Sequence, residues 1–299
     1  MCGIAGLFLK NRALEPRLGE LLTKMTSTLC ERGPDSAGFA IYGVGQDSKT
    51  KLTIAGPKAG YDIEAAVKRL KREVAPDATS FVRYSHAVIT VDEKDVPKVE
   101  AWLEENLPEV NIVSAGQRLE IFKEVGYPDD VAKYFDIAKM SGSHGISHTR
   151  MATESAVTTN GSHPFSTGTD QCLVHNGSLS NHASLRRTLR KDGIKIKTEN
   201  DSEVAAGYLT RQMRDGQTLG EALKSGLDDL DGFFTFVVGT ESGFGVIRDP
   251  IACKPAVMAE TDDYVAFASE YKSLTGLPGI ETAKVWEPKP ATPYFWERD

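Results

Sequence analysis

The chain has 299 residues, of which 40% are hydrophobic and 26% are charged, and this composition is typical of a folded globular protein rather than a disordered one. Its formal net charge of -7 argues against nucleic acid or an anionic membrane surface as a partner. Because the start lacks a charged leader and no run reaches about 18 apolar residues, we expect a cytoplasmic protein.

The amino-terminal segment alternates short elements. Hydrophobic periodicity predicts a strand over Gly3 to Leu9, a helix over Leu18 to Cys30 and a strand over Gly38 to Tyr42. A Gly-Pro turn in the stretch ERGPDSAG separates the helix from the second strand. Cys2 directly precedes the first strand, and its simplest interpretation is a small hydrophobic residue packed at the strand's start.

After this segment the pattern changes, and residues 45–142 predict a small α+β module inserted into the chain. The expected elements are strands at Lys51 to Ile54, Ser80 to Val91, Val110 to Ser114 and Arg118 to Phe122, and helices at Ile63 to Val74, Val96 to Asn106 and Asp129 to Met140.

From Gly145 onward short β-branched and aromatic runs return, and they predict antiparallel sheets packed together with helices on their outer faces. Two amphipathic helices are expected within this part, at Leu185 to Asp192 and at Ser202 to Arg214. Residues 286–299 are rich in proline and predict an extended carboxy-terminal arm.

The cysteines and histidines give no metal-binding pattern. The four cysteines lie far apart without a C-x-x-C pair, so neither a zinc site nor a disulfide framework is expected. His144 and His148 share one face of a strand, and His163 and His175 follow. Because no cysteine or carboxylate recurs with them at ligand spacing, we interpret these histidines as structural and expect no metal.

Cys2 has a second interpretation that depends on removal of Met1. The residue would then carry both a thiol, with an ordinary pKa of about 8.5, and a free α-amine, with an ordinary pKa of about 8. The amine can serve as the base that activates the thiol, so Cys2 could act as a nucleophile without a histidine partner.

The motifs MCGIAGLF, ERGPDSAG, SHTRMAT, NGSHPF, VHNGSLSN, NDSE, RDP and ASE follow one another along the chain. Their order resembles that of class II glutamine amidotransferases, over residues 1–44 and about 145–275. The resemblance implies a single α+β domain over residues 1–299, with the four-layer αββα fold of N-terminal-nucleophile hydrolases and the small module as an insertion.

The resemblance also implies a catalytic centre. Cys2 matches the nucleophile that attacks the side-chain amide of glutamine, and Asn176 with Gly177 matches the oxyanion hole. The chemistry suits these residues, because Asn supplies a side-chain N–H and Gly lets a backbone N–H approach closely. Asn-Gly is equally a strong hairpin-turn signal, so a turn at this point remains open.

Four further residues match the family's glutamine-binding positions. Arg150 matches the residue that binds the substrate carboxylate, with Thr153 assisting by a hydrogen bond. Asp201 matches the carboxylate that binds the substrate ammonium, although a helix N-cap is the competing interpretation. Arg32 resembles the family's arginine near the nucleophile, and a purely structural role for its loop remains open.

This chain departs from many relatives at two positions, with Met151 after the arginine and Glu154 after the threonine, which leaves details of the glutamine pocket open. No nucleotide-binding loop is present, so we expect no cofactor in this chain.

Because no synthase segment follows residue 275, the ammonia acceptor is expected on another subunit. The chain resembles the free-standing subunits of glutamate-synthase-type assemblies, including that of N-methylglutamate synthase (methylamine-glutamate N-methyltransferase) and the GlxB-like proteins. That resemblance implies a hetero-oligomer whose partner carries FMN and an iron–sulfur cluster. Two alternatives stay open: a subunit kept mainly for binding and assembly, and a stand-alone N-terminal-nucleophile hydrolase acting on another amide.

Overall fold

The computed structural model describes residues 2–152 and 156–298, which contain three antiparallel sheets and seven α-helices. The seven-stranded sheet contains β1 Gly3–Leu9, β2 Ser36–Tyr42, β7 Leu119–Val125, β8 His144–Arg150, β13 Val257–Glu260, β14 Tyr264–Ala268 and β15 Lys284–Trp286. The five-stranded sheet contains β9 Phe165–Gly168, β10 Gln171–Leu179, β11 Gly232–Gly239, β12 Gly243–Arg248 and β16 Tyr294–Glu297. The four-stranded sheet contains β3 Lys49–Ala55, β4 Thr79–Arg83, β5 His86–Asp92 and β6 Asn111–Gly116. The helices are α1 Leu18–Ser27, α2 Ile63–Glu73, α3 Val96–Asn106, α4 Pro128–Tyr134, α5 His182–Lys191, α6 Asp201–Arg214 and α7 Leu219–Asp229.

The seven- and five-stranded sheets pack face to face, with helices on the outer face of each. Apolar side chains such as Ile4 and Ile146 meet Val174 and Phe244 between the two sheets. Helices α1 and α4 cover the seven-stranded sheet, and α5, α6 and α7 cover the five-stranded sheet. The expectation of a four-layer αββα arrangement is therefore confirmed.

The seven-stranded sheet has the order β15-β13-β14-β1-β8-β2-β7, which places β1 beside β8 near its middle. Antiparallel pairing aligns Gly3 with Thr149. Since Cys2 immediately precedes β1 and Arg150 ends β8, this register brings the amino terminus and Arg150 to the same end of the sheet.

The four-stranded sheet, together with α2 and α3, forms a module over residues 49–116, which we call the inserted module. The sequence placed residues up to 142 in this module, but the structure does not. Strand β7 instead pairs with β2 as the edge of the seven-stranded sheet, and α4 packs on that sheet. A long-range partner decides the membership of β7, and local periodicity carries no information about it.

Several element boundaries also differ from the sequence predictions. The strand expected over Ser80 to Val91 is the hairpin β4–β5, with Tyr84 in its turn at a φ of 51°. The helix expected over Asp129 to Met140 ends at Tyr134. Strand β9 and helix α7 were not predicted, and part of the expected extended arm is the edge strand β16, which pairs with β12.

Among the helices of the described residues, none is long and apolar enough to cross a membrane.

Candidate active site

A cleft of about 730 Å³ opens where the ends of β1, β8 and β10 meet the start of α6. Five of the residues singled out in the sequence line this cleft: Cys2, Arg150, Asn176, Gly177 and Asp201. Arg32 lies just behind Cys2, and Thr153 falls outside the described residues.

The backbone of Cys2 is held by two side chains from distant parts of the chain. Its carbonyl oxygen accepts a hydrogen bond from Arg32 Nε at 3.1 Å and one from Asn176 Nδ2 at 3.3 Å. The half-buried thiol lies 3.9 Å from the carbonyl oxygen of Met151. These contacts place the sulfur at the cleft and orient the residue from the 3₁₀ helix Cys30–Arg32 and from β10.

Arg32 acts on Cys2 through the backbone and is itself anchored. Its Nη1 donates to Glu270 Oε1 at 2.5 Å. Burial raises the pKa of Glu270, but hydrogen bonds from Arg32 and Lys272 outweigh this effect and lower it overall. Gly33 then passes so close to β8 that a Cβ there would lie 2.4 Å from the Thr149 carbonyl carbon, so only glycine fits this turn.

Arg150 and the residues after it are positioned by the loop that contains Asp35. The Asp35 backbone N–H donates to the Arg150 carbonyl at 3.1 Å, and its carboxylate accepts from the Ala152 N–H at 2.8 Å. The Arg150 side chain is buried, and its Nη1 donates to the Ala156 carbonyl at 3.4 Å. The cleft therefore receives a cationic group from the seven-stranded sheet.

Asn176 and Gly177 lie inside β10 and not in a turn, so the hairpin-turn interpretation is wrong. Gly177 pairs with Phe234 of β11, but the two residues share no backbone hydrogen bond. The Phe234 N–H donates to the Asp249 carboxylate, and the Phe234 C=O accepts from the Asp249 N–H. In such a non-hydrogen-bonded antiparallel pair, the Gly177 N–H points away from β11. The Leu179 N–H, two residues further along β10, points to the same side and donates to Asp201 in the cleft. A Cβ on residue 177 would lie 2.0 Å from the Phe233 carbonyl oxygen.

Asp201 is the first residue of α6, and the residue that caps this helix is Asn200. The Asn200 side chain accepts from the Ser202 N–H at 2.9 Å, so the interpretation of Asp201 as the N-cap is wrong. The Asp201 carboxylate accepts instead from the Leu179 N–H at 2.9 Å. Burial raises the pKa of Asp201, but the His175 ring, whose Nδ1 lies 3.7 Å from Oδ1, and the hydrogen bond from Leu179 outweigh burial and bring it to about 2. Asp201 therefore supplies a negative charge to the cleft.

Three buried histidines lie in or next to the cleft. The His148 ring stacks on the His163 ring at a centroid distance of 4.0 Å, and His148 Nε2 lies 3.1 Å from the His175 carbonyl. His175 Nδ1 lies 2.9 Å from Ser202 Oγ. Burial lowers the pKa of His148 to about 3 and that of His163 well below its usual range, so these two rings are neutral at pH 7.

Sequence reasoning did not assign roles to Asp35, Glu270 or the segment around Asn160 and Gly161, all of which lie in or beside the cleft. Asp35 and Glu270 stand in motifs that the sequence did single out, ERGPDSAG and ASE.

Across residues 2–152 and 156–298, no group of three or more His, Cys, Asp and Glu side chains is arranged to hold a metal ion.

The model of a glutamine amidotransferase domain family matches residues 148–276. The glutamine amidotransferase-like protein GlxB of Rhizobium meliloti (strain 1021) is 60% identical over 297 residues, which cover 99% of this chain and 98% of that protein.

Two solved structures share the fold. One is an allosteric regulatory enzyme of purine biosynthesis, with a TM-score of 0.64 and 19% identity. The other is a glutamine phosphoribosylpyrophosphate amidotransferase from B. subtilis, with a TM-score of 0.59 and 18% identity. The alignments cover 99% of this chain but only 47% and 49% of those two chains, so this chain spans about half of their length.

Proposed function

Because the chain belongs to the class II glutamine amidotransferases, we propose that it hydrolyses the side-chain amide of glutamine with Cys2 as nucleophile. The observation that carries this proposal is the position of Cys2. Its sulfur lies at a cleft that also receives a buried cation from Arg150 and an ionised carboxylate from Asp201. An α-amino acid carries a carboxylate that can pair with the cation and an ammonium group that can pair with the carboxylate. A cleft with both charges therefore favours such a substrate.

In the proposed reaction the α-amine of Cys2, free after removal of Met1, takes the proton from the thiol. The thiolate attacks the amide carbon, the C–N bond breaks, and the amine returns the proton to the leaving nitrogen, which departs as ammonia. A γ-glutamyl thioester remains on the sulfur. Water then hydrolyses the thioester to glutamate and restores the thiol.

Asn176 and Gly177 are proposed to stabilise the oxyanion of the tetrahedral intermediate. The Asn176 side chain lies within reach of the Cys2 backbone, and the Gly177 N–H points to the cleft side of β10. Such preorganised donors typically contribute about 10²- to 10³-fold to the rate of acyl transfer. Arg150 is proposed to bind the substrate carboxylate with Thr153, and Asp201 to bind the ammonium, while Arg32 orients the nucleophile.

We further propose that the ammonia passes to a synthase on a separate subunit, as in glutamate-synthase-type assemblies such as N-methylglutamate synthase. The support is the 60% identity to GlxB over 98% of that protein, because the sequence resembles GlxB-like subunits of such assemblies. In this proposal FMN and the iron–sulfur cluster belong to the partner.

The test is glutamate release from glutamine by the purified protein, compared with Cys2→Ala. We expect intact-protein mass spectrometry to show loss of Met1, and Cys2→Ala to abolish glutamate release without lowering the melting temperature. Cys253→Ala is the matched control, because Cys253 is exposed and does not line the cleft.

Activity that persists in Cys2→Ala would remove Cys2 from the nucleophile's role. Retention of Met1 in an active protein would remove the amine base. Co-purification from the native source would test the partner, whose flavin and iron–sulfur absorption should accompany this chain. Absence of glutamate release even in such a complex would favour a role in binding and assembly.

A further inference from the structure

One side of the cleft is formed by residues 158–164, which we call the cleft loop. Thr158, Asn160, Gly161 and His163 of this loop line the cleft. The loop belongs to no helix or strand, so no backbone ladder sets its shape. Besides a turn bond from the Ser162 N–H to the Thr159 carbonyl at 3.2 Å, its conformation depends on side chains that bind its backbone and hydroxyl groups.

Strand β7, the edge of the seven-stranded sheet, runs beside this loop. Neighbouring residues of a strand point to opposite faces, so Lys123 and Glu124 leave β7 in opposite directions. Both are buried, with 5% and 3% of their surface exposed, and both nevertheless contact the cleft loop. The loop thus crosses the sheet edge between two buried ionisable side chains.

Lys123 binds the loop through its carbonyl groups. Its Nζ donates to Ser162 at 2.7 Å, to Pro164 at 3.1 Å and to Asn160 at 3.4 Å. These three bonds use all three protons of the ammonium group. Burying a lysine costs free energy that a solvated surface position would not, and here its donors all go to the loop that faces the cleft.

Glu124 binds the loop from the other face and also reaches the inserted module. Its Oε1 accepts from the Thr159 hydroxyl and from the Val125 N–H, the latter at 2.9 Å. Its Oε2 accepts from Ser85 Oγ at 2.6 Å. Ser85 lies in the turn of the β4–β5 hairpin, so one carboxylate joins the inserted module to the cleft loop.

We propose that Lys123 and Glu124 are positioning residues for glutamine, which clamp the cleft loop from two faces of β7, and that Ser85 makes the inserted module part of this clamp. The inference rests on the proposed function, since it assumes that glutamine occupies the cleft. A loop that is ordered before binding spares the ligand the entropic cost of ordering it. Loss of the clamp should therefore raise KM for glutamine more than it lowers kcat.

The test begins with Ser85→Ala, which removes one hydroxyl from the module and leaves every cleft residue in place. We expect KM for glutamine to rise about fivefold to tenfold, as for the loss of one ordinary hydrogen bond, with kcat within about twofold of the unaltered protein. Ser85→Thr keeps the hydroxyl and should restore KM. Ser80→Ala is the matched control, because Ser80 is an exposed serine of the same hairpin.

Hydrogen exchange supplies a readout that does not depend on catalysis. Peptides that cover residues 158–164 should exchange faster in Ser85→Ala and in Lys123→Met than in the unaltered protein. Their exchange rate should not change in Ser80→Ala. An unchanged KM in Ser85→Ala overturns the proposal whatever the exchange rate. If the unaltered protein releases no glutamate, the proposed function fails by itself, and the exchange comparison then decides whether Ser85 holds the loop.

Discussion

In the inserted module, helices α2 and α3 cover one face of a four-stranded sheet with aliphatic side chains such as Ile63, Leu70 and Leu103, each at most 2% exposed. In the cleft, most of the buried side chains are polar, among them Arg150 and Asn176. Apolar burial stabilises a fold without regard to direction, whereas each buried polar group needs a partner at a particular place. Changes in the apolar core of the module should therefore act on stability, and changes in the cleft on catalysis.

Among tests of this difference between the module and the cleft, the largest effect on catalysis is expected from Asn176→Ala. The variant loses the proposed oxyanion donor and the bond to the Cys2 carbonyl, so kcat for glutamine hydrolysis should fall about 10²- to 10³-fold. Asn111→Ala, in the inserted module, is the control of the same residue type and should leave kcat unchanged. A fall of less than about threefold in Asn176→Ala would remove Asn176 from the oxyanion hole.

In the module, Leu70→Ala should lower the free energy of unfolding by about 3 kcal/mol, because it leaves a cavity in an apolar core. Urea denaturation followed by circular dichroism measures this change, and glutaminase kcat at a temperature well below unfolding should stay within about twofold. Lys68→Ala is the control on the same helix, since its ion pair with Glu64 is exposed and contributes little. A decrease of less than about 1 kcal/mol in the free energy of unfolding of Leu70→Ala would contradict this difference between the module and the cleft.

A smaller effect on binding is expected from Asp201→Asn, which removes the negative charge but keeps the side-chain size. KM for glutamine should rise about tenfold, equivalent to about 1.4 kcal/mol, and the melting temperature should change little because Asn200 caps the helix. Asp62→Asn is the matched control, since Asp62 caps α2 in the module and asparagine caps equally well. Equal KM values in the two variants would exclude Asp201 from ammonium binding.

The same contrast explains where sequence reasoning succeeded. Strand β1 begins and ends at the predicted residues, because it is a regular run with clear apolar content. Helix α7 was missed although Thr218 and Glu221 form a capping box at its start. The hairpin at Tyr84 and Ser85 was missed because its turn contains none of the residue types that favour a positive φ.

Within the cleft, residue types were easier to foresee than contacts. Ordered motifs singled out Cys2, Arg150, Asn176, Gly177 and Asp201, and all five line one cleft. The sequence did not indicate that Asn200 rather than Asp201 caps α6, because aspartate and asparagine serve that role equally well.

The sequence by itself determined the family and the chemical types at the cleft, because a nucleophile, oxyanion donors and charges of both signs require particular residues in a particular order. Only the tertiary structure decided that β7 joins the main sheet, that Asn176 reaches the Cys2 carbonyl across 174 positions, and that Glu124 links the module to the cleft loop. The physical reason is that each of these contacts joins segments that lie far apart in the sequence, and the local residue pattern of one segment does not specify which other segment it will contact.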